Sequence, residues 1–450
     1  MLSTTKEAYT KITQKAPLVF FTALTIFLAT TYCALAEETS VPEVITASPD
    51  DQDQAAFLKA MEARAKGDLM EAADIFNNIL QNKPLLHRAR LELAVTYYRL
   101  YDYAEAKALA QSVLDDPKTP PNVRVSVLAF IAQVEKDEKA MAVARHFWKP
   151  TVALGWMHDT NVNVGPDSAV VDFGTATVRL AGDATRRSDS AAILIAALNH
   201  RYQTGKTVKV GEKNTLLYWQ SNASFYRRDY FNEHAYDMDV VSLGTGPALI
   251  AIHDWRANLN CQVDALRLGS EKLAYFYSLL PSYTKELRQG SFEITLDGTL
   301  TLRDYQREID AERDSRFTAV QLSFGKRFRN PKMTAQAGGR LFTEDAETGR
   351  YSNNGHEVFL AANWTPWTNG SIFGRIKEIQ VSYDGPEPLL TTGREDRQNH
   401  YTAGISQTLQ YKWLKDVNIS FEFSQTENHS NSPLYDYDRK QVTLMASKTF

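Results

Sequence analysis

From Pro150 to Phe450 apolar and polar side chains exchange places every second residue, and this rhythm constrains the fold more than any other feature of the chain. Between Phe292 and Arg303 the residues Phe292, Ile294, Leu296, Gly298, Leu300 and Leu302 alternate with Glu293, Thr295, Asp297, Thr299, Thr301 and Arg303. Successive side chains of a strand point to opposite faces, so this stretch is a ribbon with one greasy and one wet face. Ile419, Phe421 and Phe423 alternate with Ser420, Glu422 and Ser424 in the same way. The pattern predicts about fourteen strands, near 151–160, 189–202, 214–228, 235–250, 254–267, 271–285, 290–305, 315–328, 332–344, 354–366, 370–384, 399–412, 416–427 and 437–450. Strands of this length exceed the five or six residues usual in a soluble sandwich.

The later connections alternate in length. Gln306–Ser315, Glu344–Asn354, Gly385–Asn399 and Asn428–Tyr437 are long, whereas Arg329–Pro331, Trp367–Gly370 and Leu414–Asp416 are short. Short turns at one end and long loops at the other predict an antiparallel transmembrane β-barrel of outer-membrane type, its short turns facing the periplasm. The long loops follow odd-numbered strands, so both ends of the sheet fall on the short-turn side. Trp219, Tyr226, Trp255, Tyr283, Trp364, Trp367, Tyr411 and Trp413 stand near strand ends, where interfacial aromatics are expected. Val442, Leu444 and Ala446 share a face up to the terminal Phe450, which resembles the assembly signal of such barrels. Lys448 interrupts that face, as a side chain at the interface can by snorkelling.

Residues 1–36 read as an export signal: Lys6, Lys11 and Lys15 precede an apolar run from Ala16 to Leu28, and Ala34-Leu35-Ala36 then meets Glu37-Glu38. The apolar core is short for a membrane anchor. Tyr32 before Cys33 does not suit a lipoprotein signal. Cleavage would leave Cys261 as the one thiol, so no internal disulfide is expected. Residues 37–52, rich in Pro, Ser and acids, read as a flexible leader.

Residues 53–147 carry helical spacing and an internal repeat. At an offset of 34, Ala60 matches Ala94, Asp68 matches Asp102, Glu71 matches Glu105, Ala72 matches Ala106 and Leu80 matches Leu114. That is the tetratricopeptide pattern of two antiparallel helices crossing closely at Ala. Gly67-Asp68 suits its turn, Pro84 ends a helix, and Tyr101 stands where the second copy should have Gly. Val125, Leu128, Ile131 and Ala132 are expected to form the stripe of a capping helix. The fold class is therefore α-helical tetratricopeptide repeats followed, over 148–450, by the barrel.

No motif for nucleophilic, metal or nucleotide chemistry is present, so neither an enzyme nor a cofactor nor a metal is expected. A net charge of −4 without a basic stripe argues against nucleic acid as a partner. His158-Asp159 and His356-Glu357 place neighbours on opposite faces of a strand and read as polar lumen or loop groups rather than catalytic pairs. The barrel opens on Gly155-Trp156-Met157-His158-Asp159-Thr160-Asn161-Val162-Asn163-Val164-Gly165-Pro166, where Asn at alternate positions would either line a pore or form side-chain-to-backbone turns.

The succession of signal, short tetratricopeptide domain and barrel, with an aromatic-x-x-Asp-Thr-Asn-Val-Asn segment from Trp156 through Asp159 and Asn161 to Asn163, resembles the surface lipoprotein assembly modulator (Slam) family of outer-membrane translocons. The resemblance implies delivery of lipoproteins, or of secreted haem-binding proteins, from periplasm to cell surface. Expected partners are such a client, periplasmic chaperones, the barrel assembly machinery and outer-membrane lipid. The first helix of each repeat lines a groove, which by register places Gln54, Phe57, Met61, Arg64, Arg88, Leu91, Val95 and Tyr98 in contact with the client. A polysaccharide export porin or a nutrient porin with an accessory domain is the alternative; many repeats and a one-signed lumen would mark the former.

Overall fold

The computed structural model describes residues 51–450 apart from 67, 144, 173–176, 183, 212, 252–253, 288–290, 330 and 387–391. The expected signal over 1–36 and the leader as far as residue 50 lie outside the described residues, as does Gly67 of the expected turn. Among the described residues five helices come first: α1 Asp51–Lys66, α2 Leu69–Asn82, α3 His87–Arg99, α4 Tyr103–Leu114 and α5 Pro121–Val143. Each packs against the next. Ala60, Ala72, Ala94 and Ala106 are wholly buried, since a residue with no side chain beyond Cβ lets two helix backbones approach. The backbone turns recur in step: the Asp68 amide donates to Ala63 at 2.8 Å and the Asp102 amide to Tyr97 at 2.9 Å. Tyr101 makes its turn at φ +60°, a left-handed conformation costing roughly 1 kcal/mol in a non-glycine residue.

The expected capping stripe is corrected. In α5 the buried or half-buried apolar face is Val123, Val127, Phe130, Ile131 and Val134. Val125, Leu128 and Ala132 face solvent, and only Ile131 of the expected set packs inward. The helix carries two apolar stripes, and the one spaced to meet Ala110 and Val113 of α4 is the one that packs.

The strands follow: β1 His146–Asp159, a small hairpin of β2 Val170–Asp172 and β3 Thr177–Arg179, then β4 Asp189–Val210, β5 Lys213–Tyr230, β6 Met238–Ala251, β7 Trp255–Leu268, β8 Glu271–Leu287, β9 Phe292–Tyr305, β10 Ser315–Phe328, β11 Met333–Ala346, β12 Asn353–Trp367, β13 Gly370–Pro386, β14 Gly393–Thr408, β15 Val417–Ser430 and β16 Tyr437–Thr449. Without the β2–β3 hairpin these form one closed antiparallel barrel of fourteen strands, each paired with its chain neighbours and β16 with β1. At the seam Thr151 stands opposite Thr449, and the Phe450 amide donates to the Pro150 carbonyl at 2.9 Å. Closure leaves no unpaired edge, the condition for placing a sheet in hydrocarbon. The two residues joining β7 to β8, Gly269 and Ser270, both have positive φ, which suits a tight hairpin to the strand twist.

Two strand limits differ most from the sequence reading. β14 begins at Gly393 rather than near 399, and β4 runs to Val210 rather than 202. In β14 the added residues are wet on both faces, Arg394 and Asp396 inward and Glu395 and Arg397 outward, so no apolar rhythm marks them. In β4 a register shift between Gln203 and Thr207 breaks the rhythm. The turn read as Leu414–Asp416 spans 409–416, with a 3-10 turn at Lys412–Leu414.

Replacing Ala94 with Leu should destabilise the helices by about 1–3 kcal/mol through overpacking. The expected result is an earlier thermal loss of helical circular dichroism with the sheet signal unchanged.

Candidate functional site

Side-chain direction divides the barrel into an outer belt and a lumen wall. Outward residues are apolar and exposed over the lower part of each strand: Val320, Leu322 and Phe324 on β10, Val358 and Leu360 on β12, Ile372 and Ile376 on β13, Phe421 and Phe423 on β15. Above this belt the same face turns polar, as at Glu378 and Arg397, which pair at 3.0 Å. Exposed Trp148, Trp219, Tyr283, Trp364, Trp367, Tyr411 and Trp413 stand toward the short-turn end. Tyr226, expected among them, instead packs inside against the Met157 and Met238 clusters, because its parity on β5 is that of the lumen. Trp156 belongs to the belt, exposed on the outer face of β1.

The rest of the barrel-opening segment lies at the far, long-loop rim and does not line an open pore. Asp159 is fully buried and takes a forked contact from Arg439 of β16, whose Nε lies 3.0 and 3.1 Å from its two oxygens. Tyr230 Oη donates to the same carboxylate at 2.9 Å, Gln441 Nε2 at 2.9 Å and the Asn161 amide at 3.0 Å. One charge-paired network thus spans β16, β1 and β5. Asn161 and Asn163 clasp the following loop. The Asn161 side chain donates to the Gly165 carbonyl at 2.8 Å and accepts from the Gly165 amide at 3.0 Å. Asn163 donates to the Thr185 carbonyl at 2.7 Å and accepts from the Arg187 amide at 3.0 Å. Of the two expected uses of these asparagines, the side-chain-to-backbone turn is the one realised. Val162 between them packs on Met157, Ala191, Ile193 and Tyr230, drawing the loop's start against the inner wall.

Deeper in the lumen lies a group that sequence reading did not assemble. Glu357 is buried on β12, within 3.4 Å of Arg375 and 3.9 Å of Lys377, while its neighbour His356 points outward. Lys377 pairs in register with His400, His400 with Thr426, and Thr426 with Arg439, so three basic side chains share a row around this wall with Thr426 between two of them. Arg303 is held by Glu344 at 2.6 Å. On β7 and β9 the carboxylates Asp264 and Asp297 meet neutral partners, Gln262, Ser282 and Gln321. The lumen is therefore mixed in sign. Lumen parity was readable for each of these residues; their meeting depends on register between strands.

The residues of the expected client groove are partly engaged in packing. Phe57 is buried edge-on against Phe76 at 5.5 Å, and Arg88 lies over its ring at 4.8 Å. Met61 packs on that core, and Leu91 on the next. Arg64 is tied to Glu92 at 2.6 Å. Tyr98 bonds Asp137 of α5 at 2.6 Å and packs on Tyr103 and Phe130. Burial and then this bond push its hydroxyl up to about 12, while the bond and Gln133 hold Asp137 below the usual carboxylate range. Phe57 thus lies in the helical core and Tyr98 is half-buried against α5: a register that assigns a helix face does not say how deep the neighbouring helix sits. Gln54 and Val95 are half-buried and Arg88 exposed. Among the described residues no cluster of His, Cys, Asp and Glu could hold a metal ion.

No family model matches the chain, and no curated protein is similar to it. Solved structures similar to it include the outer membrane channel DcaP of Acinetobacter baumannii, with a TM-score of 0.39, 10% identity and 68% of this chain and 97% of that one covered. A loop L8 deletion mutant of OmpT, an outer membrane protein of Vibrio cholerae, gives a TM-score of 0.37 at 7% identity over 68% of this chain and 100% of that one. Pseudomonas aeruginosa OccK3 (OpdO) gives 0.35 at 10% identity over 68% and 95%.

Changing Arg439 to Met would leave the Asp159 charge buried and unpaired at the seam, which costs about 3–5 kcal/mol. The urea midpoint of the folded barrel in micelles should fall accordingly. Adding Asp159→Asn should recover part of the loss, and additive losses would mean that the two residues do not act as a pair.

Proposed function

We propose that this chain is an outer-membrane passage for exported protein clients, its helices forming a periplasmic tetratricopeptide docking domain and its barrel the route to the cell surface. The observation that carries this reading is one of chain geometry. A closed barrel with an apolar belt begins and ends on its short-turn side, and the helices run directly into the first strand there. Short turns face the periplasm in barrels of this kind, which supports a periplasmic setting for the helices, among exported chains. The 34-residue period and its buried alanines support a protein-binding solenoid, and the clasped loop at the far rim supports a gated exit. The resemblance to the surface lipoprotein assembly modulators adds the client class, a lipoprotein or secreted haem-binding protein.

A solute conduit is the second reading, favoured by the basic row on one lumen wall. The two separate in one experiment: co-expression with secreted proteins encoded beside this chain, scoring surface exposure by protease shaving. A client whose exposure requires this chain, and falls when Gln54 and Arg88 are both changed to Glu with the barrel still assembled, supports the translocon. Ion conductance in planar bilayers, with no candidate depending on the chain, would replace it with the conduit.

A further inference from the structure

Around Glu357 the lumen wall gathers more positive charge than it neutralises. Elsewhere on the wall acids match or outnumber bases: Arg303 meets Glu344 at 2.6 Å, Arg394 meets Asp396 at 3.2 Å, Arg439 meets Asp159, and Arg256 meets both Glu286 and Glu293 at 3.0 and 2.9 Å. Here three cations meet a single carboxylate. Arg375 is 3.4 Å from one of its oxygens and Lys377 is 3.9 Å from the other. Arg340 stands directly opposite Glu357 on β11. Lys377 then has His400 as its register partner, so no further carboxylate comes from that side.

Both guanidinium groups are braced by aromatic rings. Arg340 lies 5.2 Å from the Phe317 ring centre and 5.8 Å from that of Phe342, and Arg375 lies 4.7 Å from that of Phe359. Stacking on an aromatic face fixes the plane of a guanidinium and leaves its N–H edge for another acceptor. The Arg375 Nε is buried and has no hydrogen-bond partner among the described residues. Glu357 is 4% exposed and carries one negative charge, so it balances only one of the three cations beside it.

We propose that this cluster is a binding site for a small oxyanion of the phosphate or carboxylate class, held by Arg340 and Arg375 with Lys377 beside them. A surplus of two charges favours an anion, and planar N–H forks, which match paired oxygens, favour an oxyanion over chloride. The proposal rests on the reading of the lumen as a passage in one respect only, that the anion reaches the cluster through it.

The test uses the full mature chain in detergent micelles, with inorganic phosphate titrated by calorimetry against chloride at constant pH and ionic strength. Saturable binding of phosphate and not of chloride is expected. The double variant Arg340→Gln/Arg375→Gln should bind roughly tenfold more weakly or not at all. Glu357→Gln removes the competing carboxylate and keeps every cation, so it should bind roughly tenfold more tightly. The same heat for chloride as for phosphate, or unchanged affinity in Glu357→Gln, overturns the site. Should the double variant fail to fold, as judged by heat-modified gel mobility, Glu357→Gln decides alone, because a tighter site cannot arise from a damaged fold. Client display and phosphate binding are independent readouts: loss of client dependence with phosphate binding intact sinks the translocon reading and leaves the anion site.

Discussion

A strand in hydrocarbon must have both edges paired, because each bare amide or carbonyl there costs several kcal/mol. This chain meets the requirement by bringing its last strand back to its first, and much of the structure serves that closure. At the short-turn end the seam is fastened by the Phe450 amide on Pro150 and by Thr151 opposite Thr449. At the long-loop end it is fastened by Asp159 and Arg439, buried together with Tyr230 and Gln441. The same segment that supplies Asp159 continues into Asn161 and Asn163, which tie the longest connection back on itself. Seam and loop are therefore one device, and disturbing the ion pair should loosen both.

Closure also separates two chemistries that share every strand. Outward positions see lipid and need only be apolar, so belt residues on neighbouring strands are interchangeable. Inward positions face water and one another, and there identity matters: Glu344 answers Arg303, Asp396 answers Arg394, and Glu357 is left to answer three cations. The helices obey a different constraint, the close approach of backbones at buried alanines, and this occupies side chains that a groove would otherwise present.

The strands were legible because a wall between lipid and water must alternate. Legibility failed where that contrast lapses: at Gly393–Gln398, wet on both faces, and at the β4 bulge. Tyr226 was misplaced by nearness to a strand end when parity on β5 was the deciding property. In α5 two apolar stripes were present, and only the shape of α4 chose between them. Asn161 and Asn163 were singled out with two uses open, and register with Thr185 and Arg187 decided. The pairing of Asp159 with Arg439 joins residues 280 apart in the chain, which no local pattern reveals. His356-Glu357 was visible as a polar pair, but the cations around Glu357 come from neighbouring strands.

Cys261 offers the most direct measurement. It is exposed at the middle of β7 on the outer face, in register with Thr245 and Leu279. With the chain lacking residues 1–36 folded into lipid vesicles, a charged maleimide should scarcely modify this thiol until urea unfolds the protein, after which modification should be rapid. Equal labelling of the folded, vesicle-embedded chain and the unfolded chain would mean that the apolar face meets water, and the barrel would not span a membrane.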